Sequence, residues 1–250
     1  MLLTCAGNIT KHTKIKSMKK LFVFSAAFFM GLSTFAQNVE EIVAKHITAI
    51  GGAENWKKIN TMVMEGTVNV MGNDVNVKVS QVNNEGQRQD ISVAGMTGYV
   101  MITPKGGWMY MPFQGQQKPE PMTADDVKES LDDLDIQGNL IDYKAKGHTV
   151  ELVGTEEIEG TECYKVKVTR KNSGEQTLFI DKTSYLVVRA SSKKKAMGQE
   201  MDVNIDFGDY REISGIKVPY SIGQGFGTMV VTSIKVNETV PAETFADPKQ

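Results

Sequence analysis

The chain has 250 residues, with 28 Lys and Arg against 30 Asp and Glu, a formal charge of −2, 40% hydrophobic and 8% aromatic residues. This balance excludes a disordered chain, a collagen-like repeat and a multispanning membrane protein, and it lacks the cationic excess of a nucleic-acid binder. The two cysteines, Cys5 and Cys163, are too few and too far apart for a disulfide framework or a zinc cage.

Met18-Lys19-Lys20 precedes an apolar run from Leu21 to Leu32, followed by Ser33-Thr34-Phe35-Ala36. A positive start, a short apolar stretch and small residues at the end are the marks of a secretory signal. The run falls short of the roughly 20 residues that span a bilayer. Residues 1–36 are therefore expected to be a cleaved signal peptide, with Met18 as an alternative start, and residues 37–250 a single exported domain. Cleavage removes five lysines and no acidic residue, so the formal charge falls from −2 to −7. Cys163 is then the one remaining thiol and reads as a buried strand residue.

The exported part opens with a helix. Val39, Ile42, Val43, His46, Ile47 and Ile50 recur at helical spacing. Asn38 is placed to cap it, Glu41 and Lys45 to pair across one turn, and Gly51-Gly52 to end it. A shorter turn follows over 53–59, with Trp56 packing it down.

After Asn60 the period changes to 2. Met62, Met64, Gly66, Val68 and Val70 alternate with their neighbours, and short runs follow at 75–80, 88–93, 99–103 and 107–111, separated by Gly, Asn and Pro. This is a meander of antiparallel strands. Polar residues 114–121, with Pro119 and Pro121, interrupt it. Thr123-Ala124-Asp125-Asp126 then opens a helix carrying Val127, Leu131 and Leu134, placed where a lid over a sheet would sit. The nearby aspartates lack the spacing of a calcium loop, and no metal site is expected.

Alternation resumes at 150–158 and 164–170 around the Glu159-Gly160-Thr161 turn, then at 176–181, 185–190, 201–207, 216–222 and 230–236. Pro219 marks an edge or a bulge. Gly223-Gln224-Gly225-Phe226-Gly227 joins two strands and reads as a turn, not a phosphate cradle. Lys193-Lys194-Lys195 reads as a solvated hairpin tip. The fold expected is mainly β with α: a half-open antiparallel barrel of about eleven strands with helices on one side.

Enzyme signatures are missing. There is no His-Glu-x-x-His, Gly-x-Ser-x-Gly, Walker loop or Cys-x-x-Cys. His46 reads as helix packing and His148 as a solvated loop residue. No catalytic residue and no cofactor is expected. Methionine is unusual in its abundance: eleven follow residue 36, most on or beside strands, although methionine is not a favoured strand residue. It adapts to irregular apolar partners.

The order of motifs resembles a known family. Glu40-Glu41-Ile42 through Gly51-Gly52-Ala53-Glu54-Asn55-Trp56 to Glu65-Gly66-Thr67-Val68 is similar to the opening of outer-membrane lipoprotein-sorting-like proteins of the LolA/LolB superfamily. Leu178-Phe179-Ile180-Asp181, Gly208-Asp209-Tyr210, Gly215-Ile216-Lys217-Val218-Pro219-Tyr220 and Val240-Pro241-Ala242-Glu243-Thr244-Phe245 resemble its second half. The resemblance implies a lidded half-barrel that shields lipoprotein acyl chains in the periplasm without catalysis. In LolA-type carriers an Arg-Pro pair at the end of an early strand helps hold the lid; Val82-Asn83-Asn84 stands there in this chain.

The expected function is a periplasmic carrier for acyl chains of lipoproteins or another amphiphile. The alternative is a structural or interaction module of the envelope with no open cavity. The expected ligand-lining residues are Met62, Met64, Val68, Val70, Met101, Met109, Met111, Met201, Val203, Ile205 and Phe207. Val127, Leu131 and Leu134, with the N-terminal helix, are the expected lid. A lipid or acylated ligand, a membrane protein of the envelope as partner, no nucleic acid and a monomeric state complete the expectation.

Overall fold

A computed structural model of the chain describes residues 39–70, 72–196, 199–225 and 227–248. The expected signal peptide, the expected cap Asn38, and Met71, Met197 and Phe226 lie outside the described residues.

Helix α1 covers residues 39–49. Its stripe is buried as the spacing predicts, with Val39, Ile42, Val43 and His46 all inside, and Glu41 and Lys45 pair at 2.7 Å on the wet side. Gly51 and Gly52 end it with φ of 104° and 84°, values an L side chain rarely adopts. A Cβ on Gly51 would fall 2.2 Å from the Gly215 carbonyl oxygen, so the helix end lies directly on that turn. The short helix α2 (Ala53–Trp56) follows, and its Trp56 Nε1 donates to the Ile50 carbonyl at 2.9 Å.

The rest is built on one sheet. Its strands are β1 (Thr61–Val70), β2 (Asn73–Val82), β3 (Gly86–Val93), β4 (Met96–Thr103), β5 (Gly106–Tyr110), β6 (Glu120–Pro121), β7 (Thr149–Ile158), β8 (Thr161–Thr169), β9 (Glu175–Asp181), β10 (Val187–Ala196), β11 (Gln199–Ile213), β12 (Ile216–Gln224) and β13 (Gly227–Val236). The order is β6-β5-β4-β3-β2-β1-β13-β12-β11-β10-β9-β8-β7, antiparallel throughout. The last strand returns to pair with the first, and β6 and β7 form the two edges, so the barrel stays open. The described residues form thirteen strands where the sequence predicts about eleven. The one outside every predicted run is β6, two residues long; Pro121 has no N–H to donate, which suits an edge.

Three hairpins turn through paired positive-φ residues: Ala94-Gly95 (48°, 81°), Glu159-Gly160 (49°, 82°) and Ser214-Gly215 (50°, 79°). That is the twist-matched turn of tight hairpins. Bulges bend the sheet. Register shifts between Glu65 and Gly66 against β13 and between Leu152 and Gly154 against β8. Between β11 and β12 the register is unbroken, with the Gly208–Ser221 and Tyr210–Pro219 pairs two residues apart on both strands, although Asp209 itself has a φ of 49°. Pro219 sits at no bulge: it pairs with Tyr210 on β11, in a stretch of β12 beyond its pairs with β13, which cover Ser221–Gln224.

One face of the sheet carries the core. Ile50, Trp56, Ile59, Ile136 and Ile141 pack with Val68, Val77, Ile216, Val218, Met229, Val231 and Ile234. Val39, Ile42, Val43 and Leu140 pack with Val166, Val168, Leu178, Ile180, Val187 and Ala190. The turn-rich segment 136–147 joins the two clusters. On the opposite face Ile158, Cys163 and Phe179 form a smaller cluster.

The chain end lies on that opposite face. A 3-10 turn at Ala242–Phe245 sets the Phe245 ring against Gly86, where a Cβ would be 2.9 Å from it, and Trp108 Nε1 donates to Asp247 Oδ1 at 3.2 Å. Among the described residues no helix is long and apolar enough to cross a membrane.

Candidate functional site

Strand register assigns each inward side chain. One row across five strands is wholly apolar: Phe207–Ile222–Met229–Val68–Val75, from β11 to β2. Val68 and Met229 are buried, while Phe207, Ile222 and Val75 are half-buried. The next row but one towards the helices runs Ile234–Met64–Val79–Gln89–Val100–Met109, and the one beyond it Val236–Met62–Gln81–Gln87–Ile102–Gly107. Met62, Met64 and Val70 pack half-buried against the core cluster. Met109 shares their face but is 40% exposed. Met111 lies just past the end of β5 and is buried beside Gly98.

Ile205 is half-buried opposite Ala190, on the same face as Phe207. Val203 and Met201 continue that face outwards and are 38% and 55% exposed. Here β11 has outrun β12, whose pairing begins at Asp206, so the hairpin stands beyond the covered sheet. Its register opposes Lys193 to Asp202, so the basic run begins across from an acid.

Met101 departs from expectation. It is 1% exposed, but it pairs with Arg88 and Trp108 on the opposite, convex face, in the row Val63–Ser80–Arg88–Met101–Trp108. Met101 and Met109 differ by an even number of residues, yet a turn lies between their strands, and turn length sets the relative phase. Met101 does not line the concave face.

The segment expected to form the lid bridges the β2–β3 and β8–β9 turns. Helix α3 (Ala124–Ser130) is capped by Thr123, whose Oγ1 accepts from the Asp126 N–H at 3.2 Å. Val127 reaches over Gly107, where a Cβ would be 3.2 Å from its methyl. Leu131–Leu134 is a separate 3-10 turn, not a continuation of the α-helix; Leu131 is half-buried and Leu134 buried. The lid is fastened at both walls. At the β2–β3 turn, Asn84 N–H donates to the Leu134 carbonyl at 2.9 Å and Asn83 Oδ1 accepts from Ile136 N–H at 3.0 Å. At the β8–β9 turn, Asp132 accepts from Asn172 N–H, Asn172 Nδ2 and Ser173 N–H, each at 2.8 Å. Arg170, itself buried, donates to Asp133 at 3.1 Å. Burial alone would raise the Asp132 carboxyl, but the hydrogen bonds from Asn172 and Ser173 outweigh it and hold the group below the usual range.

In the sequence Asn83-Asn84 reads only as a turn and Asp132 only as one acid among several. No local pattern joins residues 83, 132 and 172; the fold brings them together.

Both histidines are structural. His46 Nδ1 donates to the Tyr185 carbonyl at 2.8 Å. His148 is buried, not solvated as expected, and its Nδ1 accepts from Lys171 N–H at 3.0 Å, so Nε2 carries its proton. Burial pushes both imidazoles below the ordinary value. Among the described residues no group of three or more His, Cys, Asp or Glu is placed to hold a metal ion.

No family model matches the chain, and no curated protein matches it. Solved structures do. A LolA superfamily protein from Nitrosomonas europaea is 12% identical, with a TM-score of 0.52 over 82% of this chain and 96% of that one. A DUF1329 family protein from Desulfovibrio piger is 14% identical at a TM-score of 0.49, covering 83% and 97%. An outer membrane lipoprotein-sorting domain from Vibrio parahaemolyticus is 14% identical at 0.48, covering 82% and 94%. An open, fully antiparallel sheet, curled around an N-terminal helix and crossed by a lid, is a LolA-like fold.

Proposed function

We propose that this protein is a non-catalytic carrier that takes up an acyl chain or another apolar part of an amphiphile on the concave face of β11, β12, β13, β1 and β2. The observation that carries this reading is the apolar row Phe207–Ile222–Met229–Val68–Val75, half-buried at its ends and running out to exposed Val203 and Met201. Each methylene moved from water onto such a surface gains about 0.8 kcal/mol, and flexible methionine side chains adapt to chains of differing shape. The lid of residues 124–134 is held by polar contacts and by the buried Leu134, while α3 has no buried residue, which suits it to open and close over the bound chain. The LolA-like fold, shared with the Nitrosomonas europaea protein, supports an envelope location. Together with the expected signal peptide it supports a periplasmic protein handing its cargo to a membrane-protein partner.

Native mass spectrometry of the exported chain, purified without detergent, tests this. The expected result is a bound mass that extracts into organic solvent as a lipid or acylated peptide. Ile222→Asp is expected to abolish that mass, and Val203→Lys, an exposed change that leaves the core intact, to weaken it. A clean apo mass, with no rise in melting temperature on adding fatty acids or lipopeptides, overturns the reading.

That outcome would favour a packed envelope module. One observation points to it: α1 and segment 136–147 already fill much of the concave face with Ile136, Leu140 and Ile141.

A further inference from the structure

A second recess lies at the rim of the sheet, beside the lid: Asn84, which fastens the lid, and Gly107 and Met122 also line it. The β2–β3 turn, the β4–β5 turn and the C-terminal segment enclose a volume of about 730 Å³, within the range of small-molecule sites. Its apolar walls include Trp108, Phe245 and Pro104, and its charged rim is Glu85, Asp247 and Lys105. The aromatic walls are held in place. Phe245 is seated on Gly86, and Trp108 is tied through Nε1 to Asp247. Glu85, Asp247 and Lys105 make no ion pair among the described residues. The rim therefore carries a formal charge of −1 beside two aromatic rings.

The chemistry of such a recess is selective. Ring faces are negative and attract cations. Two carboxylates against one ammonium do the same. An anion is opposed by both features. A small hydrated metal cation gains nothing from apolar walls. What matches rings and carboxylates together is a cation carried on a small hydrocarbon body.

We propose that this rim pocket binds an alkylammonium group, with Trp108 and Phe245 packing its methylenes or methyls and Glu85 and Asp247 balancing its charge. The group has two sources, a free organic cation and the headgroup of a lipid. Trp108, Phe245, Glu85 and Asp247 are not among the residues of the apolar row, so this assignment stands or falls without the acyl-chain reading.

Choline chloride and, in parallel, phosphatidylcholine vesicles are titrated into the full chain, followed by calorimetry and tryptophan emission. The sequence has two tryptophans. Trp56 is buried and hydrogen-bonded to Ile50, so a shift reports Trp108, and Trp108→Phe is expected to remove it. Saturable binding of choline, absent with sodium chloride at equal ionic strength and with sodium acetate, is the expected result. The Glu85→Gln/Asp247→Asn pair is expected to weaken it at least tenfold. The melting temperature should hold, because the amide oxygen introduced by Asp247→Asn can still accept from Trp108. A response to free choline assigns a soluble cation, and a response to phosphatidylcholine vesicles that phosphatidylglycerol vesicles do not give and that the double variant loses assigns a headgroup; either upholds the proposal. No saturable response to either ligand, equal binding of acetate, or unchanged affinity in the double variant overturns it.

Discussion

The two walls of the half-barrel obey the same alternation and reach different ends. On the β8–β10 wall the inward positions are Val166, Val168, Leu178, Ile180, Val187 and Ala190, sealed beneath α1. On the β1–β5 wall they include Met62, Met64, Gln81, Gln87, Gln89 and Met109, and most are half-buried or exposed. Branched aliphatic residues pack a pleated surface tightly and hold one arrangement. Methionine is unbranched and flexible and adapts to a guest. The first wall is a foundation, and the second is a surface kept available.

The contrast can be broken most forcefully at the sealed wall. Ile180→Ala, at a site with no exposed surface, is expected to cost about 2–5 kcal/mol of unfolding free energy. Met64→Ala on the open wall should cost less than half of that. Denaturant unfolding of both variants measures the ratio, and equal losses would show the two walls to be one core. Gly51→Ala comes next. Its Cβ would meet the Gly215 carbonyl and its φ is 104°, so a loss of more than about 1 kcal/mol is expected.

The lid should respond more weakly and more locally. Asp132→Ala strands the donors of Asn172 and Ser173 and is expected to cost about 1–2 kcal/mol. Hydrogen exchange should rise in residues 124–136 and 170–174 and stay unchanged in β8–β10. A rise spread evenly over the sheet would mean that the lid is part of the core.

The smallest effect is set by pH. Burial holds His46 and His148 below the ordinary histidine value, so the unfolded chain binds protons that the folded chain refuses. Their contribution is fully present above the unfolded value of 6.5 and is lost as pH falls below it. Protonating His148 also places a hydrogen on the nitrogen that accepts from Lys171. His148→Gln is expected to flatten the melting temperature between about pH 7 and pH 5. An unaltered slope in that variant would leave His46 as the source.

Much of the scaffold is legible in the sequence. Period-2 runs locate the strands, the Gly51-Gly52 pair locates the end of α1, and Asp-Asp after Thr123 locates the start of α3, because each is a local signal. Faces are legible within a strand and not across a turn, which is why Met101 reads with Met109 and lies on the other side. His148 looks like a loop residue because its sequence neighbours are polar; its burial comes from residues 132 and 171, far away in the chain or across a turn. The lid fastenings are illegible for the same reason: Asn83, Asp132 and Asn172 meet only after the sheet has curled.

Cys163 has a practical consequence. It is fully buried beneath the convex face with Phe179 and Ile158, and burial pushes its thiol above the ordinary value. A native-state labelling reagent can reach it only when the β7–β9 edge opens. Once the expected leader is removed it is also the one thiol in the sequence. The rate at which it is alkylated is therefore a clock for breathing of the sealed wall, read from a single mass shift and needing no engineered label. Comparing that rate with and without ligand would show whether loading the open wall steadies the closed one.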